Sequence, residues 1–276
     1  MQITKEQVKA WHACSEGYRW FLDKFPQGGA YADVHGALIS DKRYDDARWL
    51  VDQMYRSFLD SAEFIQAETA VTDKMVCELT SMKHPSDQVE GENSSGYNAQ
   101  IGSSGYNARI GSSGNYARIG SSGYDARIGS SGDDARIGSS GYNAQIGSSG
   151  DDARIGSSGD DARIGSSGDD AQIGSSGDDA QIGSSGDDAR IGSSGYNARI
   201  GSSGYNAQIT ATGNGSVVAC ACSVERIVLG ENGCASVPWH DGKRIRIAVA
   251  YVGENGIEAN IPYYVNDEGQ FVRVED

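Results

Sequence analysis

The chain has 276 residues and a formal net charge of −15, from 38 acidic and 23 basic side chains. An acidic chain repels nucleic-acid phosphates and anionic lipid, so direct binding to DNA or to a membrane is disfavoured. The 38 glycines and only 4 prolines, combined with a strict sequence period, indicate a repeat architecture and exclude an ordinary flexible linker.

Features of the whole chain predict a cytoplasmic protein without a metal site. No run of about 18 apolar residues occurs, and Met1 precedes an amphipathic stretch instead of a secretory apolar segment. Five cysteines, an odd number, are typical of reduced thiols. Cys220, Cys222 and Cys234 are interpreted as strand residues, because no histidine pair completes a four-ligand set.

The first segment, residues 1–85, is predicted to be helical. Thr4 and Gln7 form a capping-box sequence. A first helix follows, with apolar residues at helical spacing: Val8, Trp11, Cys14, Tyr18 and Phe21 or Leu22. Pro26 and Gly28 end it.

Two more elements complete this helical domain. A short one carries Val34 and Leu38, and a long helix starts near Asp41 and runs past Ile65 with a wide apolar stripe. The stripe packs in a small helical core or forms an interface with a dimer mate or target. Residues 86–93 are polar and are predicted to be a linker.

A nonapeptide, Ile-Gly-Ser-Ser-Gly-[Tyr/Asp/Asn]-[Asn/Asp/Tyr]-Ala-[Arg/Gln], then repeats from residue 94 to residue 209. Its apolar position is filled without a slip by Ile101, Ile110, Ile119, Ile128, Ile137, Ile146, Ile155, Ile164, Ile173, Ile182, Ile191, Ile200 and Ile209. Alternation puts Ala, Ile and the first Ser on one face of a strand, and the remaining residues have turn chemistry. Each nonapeptide is therefore predicted to make one strand and one corner.

Two nonapeptides close one flattened coil in this prediction, with the isoleucines meeting in a dry seam. The predicted fold class is mainly β. A parallel β-solenoid over 94–230 follows an N-terminal α-helical domain and is followed by a C-terminal β-meander cap over 231–276. The strands of the cap are predicted at 243–252, 256–265 and 270–274. The cap covers one bare end of the stack and is also a candidate oligomerisation surface. The helical segment either caps the other end or is an independent module.

The variable positions of the repeat determine its surface. The outward ladder positions read Gln100, Arg109, Arg118, Arg127, Arg136, Gln145, Arg154, Arg163, Gln172, Gln181, Arg190, Arg199 and Gln208. Tyrosines at the corners are Tyr97, Tyr106, Tyr116, Tyr124, Tyr142, Tyr196 and Tyr205. The remaining corners carry Asp pairs: Asp133 and Asp134, Asp151 and Asp152, Asp160 and Asp161, Asp169 and Asp170, Asp178 and Asp179, Asp187 and Asp188.

These Asp pairs are the candidate partner-binding residues. In a coil of two repeats they form columns of carboxylates at about 4.8 Å spacing along the two edges. One interpretation is a solvated edge neutralised by neighbouring Arg. The other is an acidic strip that imitates the phosphates of DNA for a DNA-handling protein. The corner tyrosines either cover the edges or form a binding rim.

Calcium is a further alternative at the corners. The repeat is similar to the RTX nonapeptide, Gly-Gly-x-Gly-x-Asp-x-apolar-x. The second residue of each Asp pair falls at its Asp position: Asp134, Asp152, Asp161, Asp170, Asp179 and Asp188. The RTX apolar position, however, is Arg or Gln here, and many repeats carry Asn instead of Asp. We therefore expect no calcium site, no other metal and no cofactor.

Parts of the chain resemble a group of uncharacterised proteins encoded by phages and prophages of enteric bacteria. The resemblance covers about residues 94–265 and rests on the nonapeptide, on Val218-Ala-Cys-Ala, on Trp239-His-Asp-Gly-Lys-Arg and on Ile247-Ala-Val-Ala-Tyr-Val-Gly-Glu-Asn-Gly-Ile. The helical segment, with Trp11, Cys14, Gly17, Trp20-Phe21 and Trp49-Leu50, is similar to a module of phage accessory proteins. The resemblance implies a phage origin and a host-cytosol location, without an activity.

Catalysis is disfavoured, because the repeated serines have no distinguishing base and no phosphate-binding loop opens a helix. We expect instead a non-enzymatic protein that inhibits a host nucleic-acid-handling or defence protein through the acidic edge or the helical module. The alternatives are a structural virion component or spacer, and an oligomer that sequesters a small ligand. Ice binding is disfavoured, because the flat faces carry Arg instead of a Thr ladder. Expected partners are an unidentified host protein and, through the cap or the helices, a second copy of the chain.

Overall fold

A computed structural model describes residues 1–59, 61–80, 92–94 and 96–274. The predicted linker at 86–93 lies largely outside the described residues. The fold is mainly β: a parallel β-solenoid that is preceded in the sequence by a helical region, as predicted. None of the helices in the described ranges is both long and apolar enough to cross a membrane.

The helical region contains five described helices and a two-stranded antiparallel sheet. The helices are α1 (Lys5–Ala10), α2 (Ser15–Lys24), α3 (Tyr31–Ser40), α4 (Tyr44–Phe58) and α5 (Ala62–Thr80), and the strands are β1 (Gln2–Ile3) and β2 (Gly29–Ala30). The predicted capping box is confirmed: the Gln7 amide donates to Thr4 Oγ1 at 3.3 Å, and the Thr4 amide donates to Gln7 Oε1 at 2.9 Å.

Two helix predictions were wrong in extent. The first helix ends at Ala10, because His12 has a left-handed backbone with φ of 59°, and α2 restarts with Cys14 as its N-cap. The long helix from Asp41 past Ile65 is divided into α4 and α5, with a break after Phe58. The apolar periodicity continues across both breaks because the shorter helices pack into one core.

Strands of the solenoid alternate between two ten-stranded sheets. The sheet that packs against the helices, called the covered sheet, contains β4 (Gln100–Ser103), β6 (Arg118–Ser121), β8 (Arg136–Ser139), β10 (Arg154–Ser157), β12 (Gln172–Ser175), β14 (Arg190–Ser193), β16 (Ala207–Ala211), β18 (Val224–Leu229), β21 (Pro262–Val265) and β22 (Phe271–Arg273). The other, called the open sheet, contains β3 (Glu92–Ser94), β5 (Arg109–Ser112), β7 (Arg127–Ser130), β9 (Gln145–Ser148), β11 (Arg163–Ser166), β13 (Gln181–Ser184), β15 (Arg199–Ser202), β17 (Val217–Cys220), β19 (Cys234–His240) and β20 (Ile245–Tyr251).

The register confirms a coil of two nonapeptides. Ile155 pairs with Ile173 in the covered sheet, and Ile164 pairs with Ile182 in the open sheet, so stacked residues are 18 apart in sequence. The thirteen repeat isoleucines are 0–5% exposed and form one continuous core with alanines of the two sheets. Stacking thus provides the partners that one repeat lacks.

The C-terminal strands close this core in a way that differs from a single meander. Strand β19 still pairs in parallel with β17, so the parallel stack extends past residue 230. Strand β20 then adds antiparallel to β19, whereas β21 adds antiparallel to β18 and is followed by β22. Each sheet therefore receives its own antiparallel end, and the predicted strand from residue 256 begins only at Pro262.

The helical region neither caps the end of the stack nor stands apart from it. Helix α5 lies across the outer face of the covered sheet, where the Thr69 hydroxyl contacts that of Ser176 at 3.2 Å. The Ser158 hydroxyl donates to Asp73 at 2.7 Å. Glycine at the outward position permits this approach, because a Cβ added to Gly156 would lie 2.6 Å from the Thr72 hydroxyl oxygen.

Candidate binding surfaces

The second residue of each corner pair has a left-handed backbone. From Asn98 to Asn206 the φ values at this position lie between 53° and 60°. Asp and Asn tolerate this conformation better than most residues because their short polar side chains bond locally. The amide at this position joins the next coil, as when Asp152 N donates to Asp169 O at 2.9 Å. The choice of Asp or Asn here has a structural reason.

The first Asp of a pair also connects successive coils. Oδ1 of Asp133 accepts from the Asp151 amide at 3.2 Å, and Oδ1 of Asp151 accepts from the Asp169 amide at 3.0 Å. Asn115 takes the same role toward the Asp133 amide at 3.1 Å. We call this column of side-chain acceptors the corner ladder. Because the side-chain oxygen of Asn115 accepts the same hydrogen bond, the ladder requires an acceptor oxygen and not a negative charge.

The Asp pairs are distributed unevenly between the two margins of the solenoid. Four pairs lie at corners that lead from the open to the covered sheet, on consecutive coils. We call this margin the acidic edge, formed by Asp133, Asp134, Asp151, Asp152, Asp169, Asp170, Asp187 and Asp188. The other margin, called the opposite edge, holds the remaining two pairs: Asp160, Asp161, Asp178 and Asp179.

One cation neutralises part of the acidic edge. Arg48 of α4 bonds Asp134 at 3.0 Å and Asp152 at 2.6 Å. Desolvation raises the pKa of Asp134 above its usual range despite this cation. Partial desolvation and then the carboxylate of Asp152 also raise the pKa of Asp170, so negative charge is crowded along this edge.

The far part of the acidic edge is free of such neutralisation. In the described ranges no basic side chain forms an ion pair with Asp169, Asp170, Asp187 or Asp188, and all four are exposed. Within those ranges there is also no cluster of three or more His, Cys, Asp or Glu side chains that suits a metal ion. These four carboxylates face solvent.

Tyrosines cover the N-terminal coils at both margins. Tyr106, Tyr124 and Tyr142 follow one another on the opposite edge, with ring centroids 6.3 and 5.9 Å apart. The rings of Tyr97 and Tyr116 lie on the margin of the acidic edge, with centroids 5.2 Å apart and planes tilted by 55°. All five are between 38% and 70% exposed. They are available to a partner beside the Asp pairs.

The Arg and Gln ladder of one sheet is exposed, whereas that of the other sheet lies beneath the helical region. In the open sheet, the exposed ladder is Arg109, Arg127, Gln145, Arg163, Gln181 and Arg199. In the covered sheet, the ladder beneath the helical region includes Arg118, Arg136, Arg154, Gln172 and Arg190. Both ladders were predicted at outward positions of the flat faces, without a distinction between the two sheets. The same residue types occupy both sheets, so the repeat carries no signal for this difference.

The last strand of the open sheet exposes an apolar row. Strand β20 ends the sheet, and its outer edge has no strand partner in the described part of the chain. Its outward side chains, which are 51–70% exposed, are Ile245, Ile247, Val249 and Tyr251. Ala248 and Ala250, on the inward face, are buried. An unpaired strand edge beside such a row is suited to strand pairing.

Comparison with known proteins finds similarity to two kinds of relative. Residues 1–59 match the family described as YdhT N-terminal domain. Uncharacterized protein YdhT of Escherichia coli (strain K12) is 39% identical over 75 residues, which are 27% of this chain and 28% of that protein. Two ice nucleation proteins of Pseudomonas syringae are each 58% identical over 36 residues, 13% of this chain and 3% of theirs.

These similarities are local. The chain spans less than a third of the length of each of these relatives. No solved structure shows a significant match. The helical region therefore resembles a domain of an uncharacterised enteric protein, while its binding properties have to be argued from the surfaces described above.

Proposed function

We propose that this chain is a non-enzymatic binding protein of phage origin that contacts a basic surface on a host nucleic-acid-handling or defence protein. The contact surface is the acidic edge, and the site of action is the host cytoplasm. The observation that carries the proposal is the placement of four Asp pairs on consecutive coils of one margin. An inhibitor acting this way occupies the surface where its target holds nucleic acid.

Charge density supports this proposal. Two carboxylates per coil, with coils about 4.8 Å apart, give one negative charge per roughly 2.4 Å of the edge. B-DNA carries one per roughly 1.7 Å of its axis. The rigid corner ladder holds the charges in a line, which lowers the entropic cost of ordering them on binding. A basic groove shaped for DNA fits such a row.

The experiment that tests the proposal uses Asp→Asn substitutions. The first variant changes the four unpaired residues of the acidic edge, Asp169, Asp170, Asp187 and Asp188. Asn keeps the acceptor oxygen and tolerates the left-handed backbone, as Asn115 and Asn143 do in the native corners. The matched control changes Asp160, Asp161, Asp178 and Asp179 on the opposite edge, so both variants lose four charges.

The readout is the set of host proteins retained from a bacterial lysate, eluted with increasing salt and identified by mass spectrometry. We expect a basic protein that the wild type and the control retain, that elutes at moderate salt, and that the acidic-edge variant loses. Retention of the same proteins by all three chains would exclude the acidic edge as the contact surface.

Ice nucleation is a second candidate function, favoured by the similarity to proteins named for that activity. The flat open sheet has outward glycine and serine rows that repeat at each coil, although Arg and Gln line its ladder. Droplet freezing tests it. Freezing at a higher temperature than in buffer would support this function, and freezing at the buffer temperature would exclude it.

We also propose that the chain forms a homodimer through β20. Antiparallel pairing of two copies about Ala248 places Ile247 of one copy opposite Val249 of the other. The same register places Arg246 opposite Ala250, so no two cations face each other. Such pairing joins two open sheets into one and places the two apolar rows side by side, where each covers one flank of the other.

A further inference from the structure

A cavity of about 360 Å³ lies between the helical region and the covered sheet. One wall is formed by Arg118, Arg136 and Arg154, which occupy the same position of consecutive strands β6, β8 and β10. Because these residues pair in register, their Cα atoms are about 4.8 Å apart. Three guanidinium groups are therefore stacked along this wall.

These three cations interact with Glu68 and Asp134 only through longer-range electrostatics in the described part of the chain. No hydrogen bond or ion pair in the described ranges joins the side chain of Arg118, Arg136 or Arg154 to another residue. Nε of Arg118 and Nη1 of Arg154 are fully buried without an acceptor. A buried donor without an acceptor is costly, and more so when it is charged.

Acidic groups at the cavity do not balance this charge. Glu68 lines it, but its carboxylate accepts a hydrogen bond from the hydroxyl of Tyr31. Asp33 is the other carboxylate in the lining, and Lys74 adds a fourth cation. The lining thus has four basic and two acidic side chains, apart from His35.

The pKa values are consistent with a shortage of negative charge. Burial, and then the neighbouring Arg154 and Arg118, lower the pKa of Arg136 to about 9. Burial, and then Arg136, lower the pKa of His35 well below its usual range, so its ring is held neutral. Burial raises the pKa of Glu68, which weakens the nearest counter-charge further.

The helical wall also contributes aliphatic side chains beside its charged groups. Ile39 of α3, together with Val71 and Met75 of α5, lines the cavity. A cavity that combines clustered cations with aliphatic carbon suits an organic anion better than a bare inorganic ion. Its volume is at the lower end of the range for small-molecule sites.

We propose that this cavity binds a small organic anion whose carboxylate or phosphate groups bond the stacked guanidinium groups of Arg118, Arg136 and Arg154. Bound there, the anion places negative charge beside the three guanidinium groups and contacts both the helical region and the solenoid. No residue of the acidic edge lines this cavity, although Asp134 lies beside the same three arginines. The variants that test the two proposals change different residues.

The repeat itself provides the variants that test this site. Gln replaces Arg at the same ladder position in the native coil of Gln172, so Arg136→Gln introduces a residue that this sheet already accepts. Arg163→Gln makes the same change on the open sheet, away from the cavity, and is the matched control. Glu68→Gln removes the competing carboxylate and keeps an acceptor for Tyr31.

Isothermal titration of the full chain with citrate and with pyrophosphate, at fixed ionic strength in chloride, measures binding. We expect saturable binding of at least one probe, weakened about tenfold in Arg136→Gln, unchanged in Arg163→Gln and strengthened in Glu68→Gln. Preference for citrate or for pyrophosphate identifies the ligand as a carboxylate or a phosphate.

A melting experiment gives a second readout. Arg136→Gln should raise the Tm of the anion-free protein, because it removes a repelled cation, and at the same anion concentration should reduce the rise in Tm that the anion gives the wild type. No saturable binding of either probe to the wild type, or equal weakening by Arg136→Gln and Arg163→Gln, would overturn the proposal.

Discussion

The corner ladder allows the structural and electrostatic roles of one Asp pair to be separated. Asp169 Oδ1 accepts from the Asp187 amide at 2.8 Å, and Asp170 has a left-handed backbone with φ of 53°. Replacing both by Ala removes one hydrogen bond, which costs about 1 kcal/mol, and places Ala in the left-handed region, which costs about 1 kcal/mol more. Replacing both by Asn keeps each feature and removes only the charge.

We therefore expect the Ala pair to lower the free energy of unfolding by about 2 kcal/mol, and the Asn pair to leave it unchanged or slightly raised. With an m-value of about 3 kcal/mol/M, the urea midpoint of the Ala pair falls by roughly 0.7 M. Circular dichroism during urea unfolding measures both midpoints. Equal losses for the two variants would refute this account, because they would show that the carboxylate charge itself stabilises the corner.

Three further predictions concern the contacts around the solenoid. Gly156→Leu should separate α5 from the covered sheet, since even a Cβ at this position would lie 2.6 Å from the Thr72 hydroxyl oxygen. Limited proteolysis should then cleave the helical region faster. The control, Gly165→Leu on the open sheet, should leave the cleavage rate unchanged. The amides of Arg244 and Lys243 hold the pKa of Asp241 at about 2, below its ordinary value. The stabilising effect of the Asp241 carboxylate is therefore complete above about pH 4 and is lost as the pH falls toward 2. Asp241→Asn should flatten the dependence of Tm on pH in that interval, and an unchanged slope would contradict this. Ile247→Lys should shift the chain to monomer in sedimentation equilibrium, and a wild type that is already monomeric would exclude the β20 dimer.

The sequence predicted the solenoid well because its determinants are local and repeated. An isoleucine every nine residues leaves few ways to bury the apolar face, and Asp or Asn at the corner is compatible with the left-handed turn that a coil needs. The C-terminal cap was predicted less accurately. Turn residues indicated where its strands are separated, but a turn does not reveal whether the next strand joins the same sheet or the other one.

The position of the helical region was not predictable from the repeat. Its contacts are made by residues such as Thr69, Thr72 and Asp73, whose outward polar pattern on α5 is that of an exposed helix face. The outward glycines that accept α5 occur equally in the open sheet, which it does not contact. For the same reason the cavity arginines could not be distinguished from their exposed counterparts.

The two-repeat coil predicted columns of Asp along the two edges. The columns are unequal because four of the Asp pairs belong to repeats of one margin and two belong to repeats of the other. The pairs at 151–152 and 169–170 are 18 residues apart and so share a margin, whereas that at 160–161 falls on the other. The structure adds that the first Asp of a pair accepts a backbone amide of the next coil. This contact depends on three-dimensional spacing and has no sequence signature beyond the Asn that replaces Asp at residue 115.

Disulfide cross-linking tests most directly whether two nonapeptides make one coil, because all of the proposed edge geometry depends on that period. Ser149 and Ser167 are outward residues of neighbouring coils on the open sheet, about 4.8 Å apart, a separation that a disulfide spans. Ser158 lies between them in sequence but on the covered sheet, where it donates to Asp73. Mass spectrometry of tryptic peptides should find a disulfide in Ser149→Cys with Ser167→Cys and none in Ser149→Cys with Ser158→Cys. The reverse result would show a coil of one repeat, and it would place all six Asp pairs on a single margin.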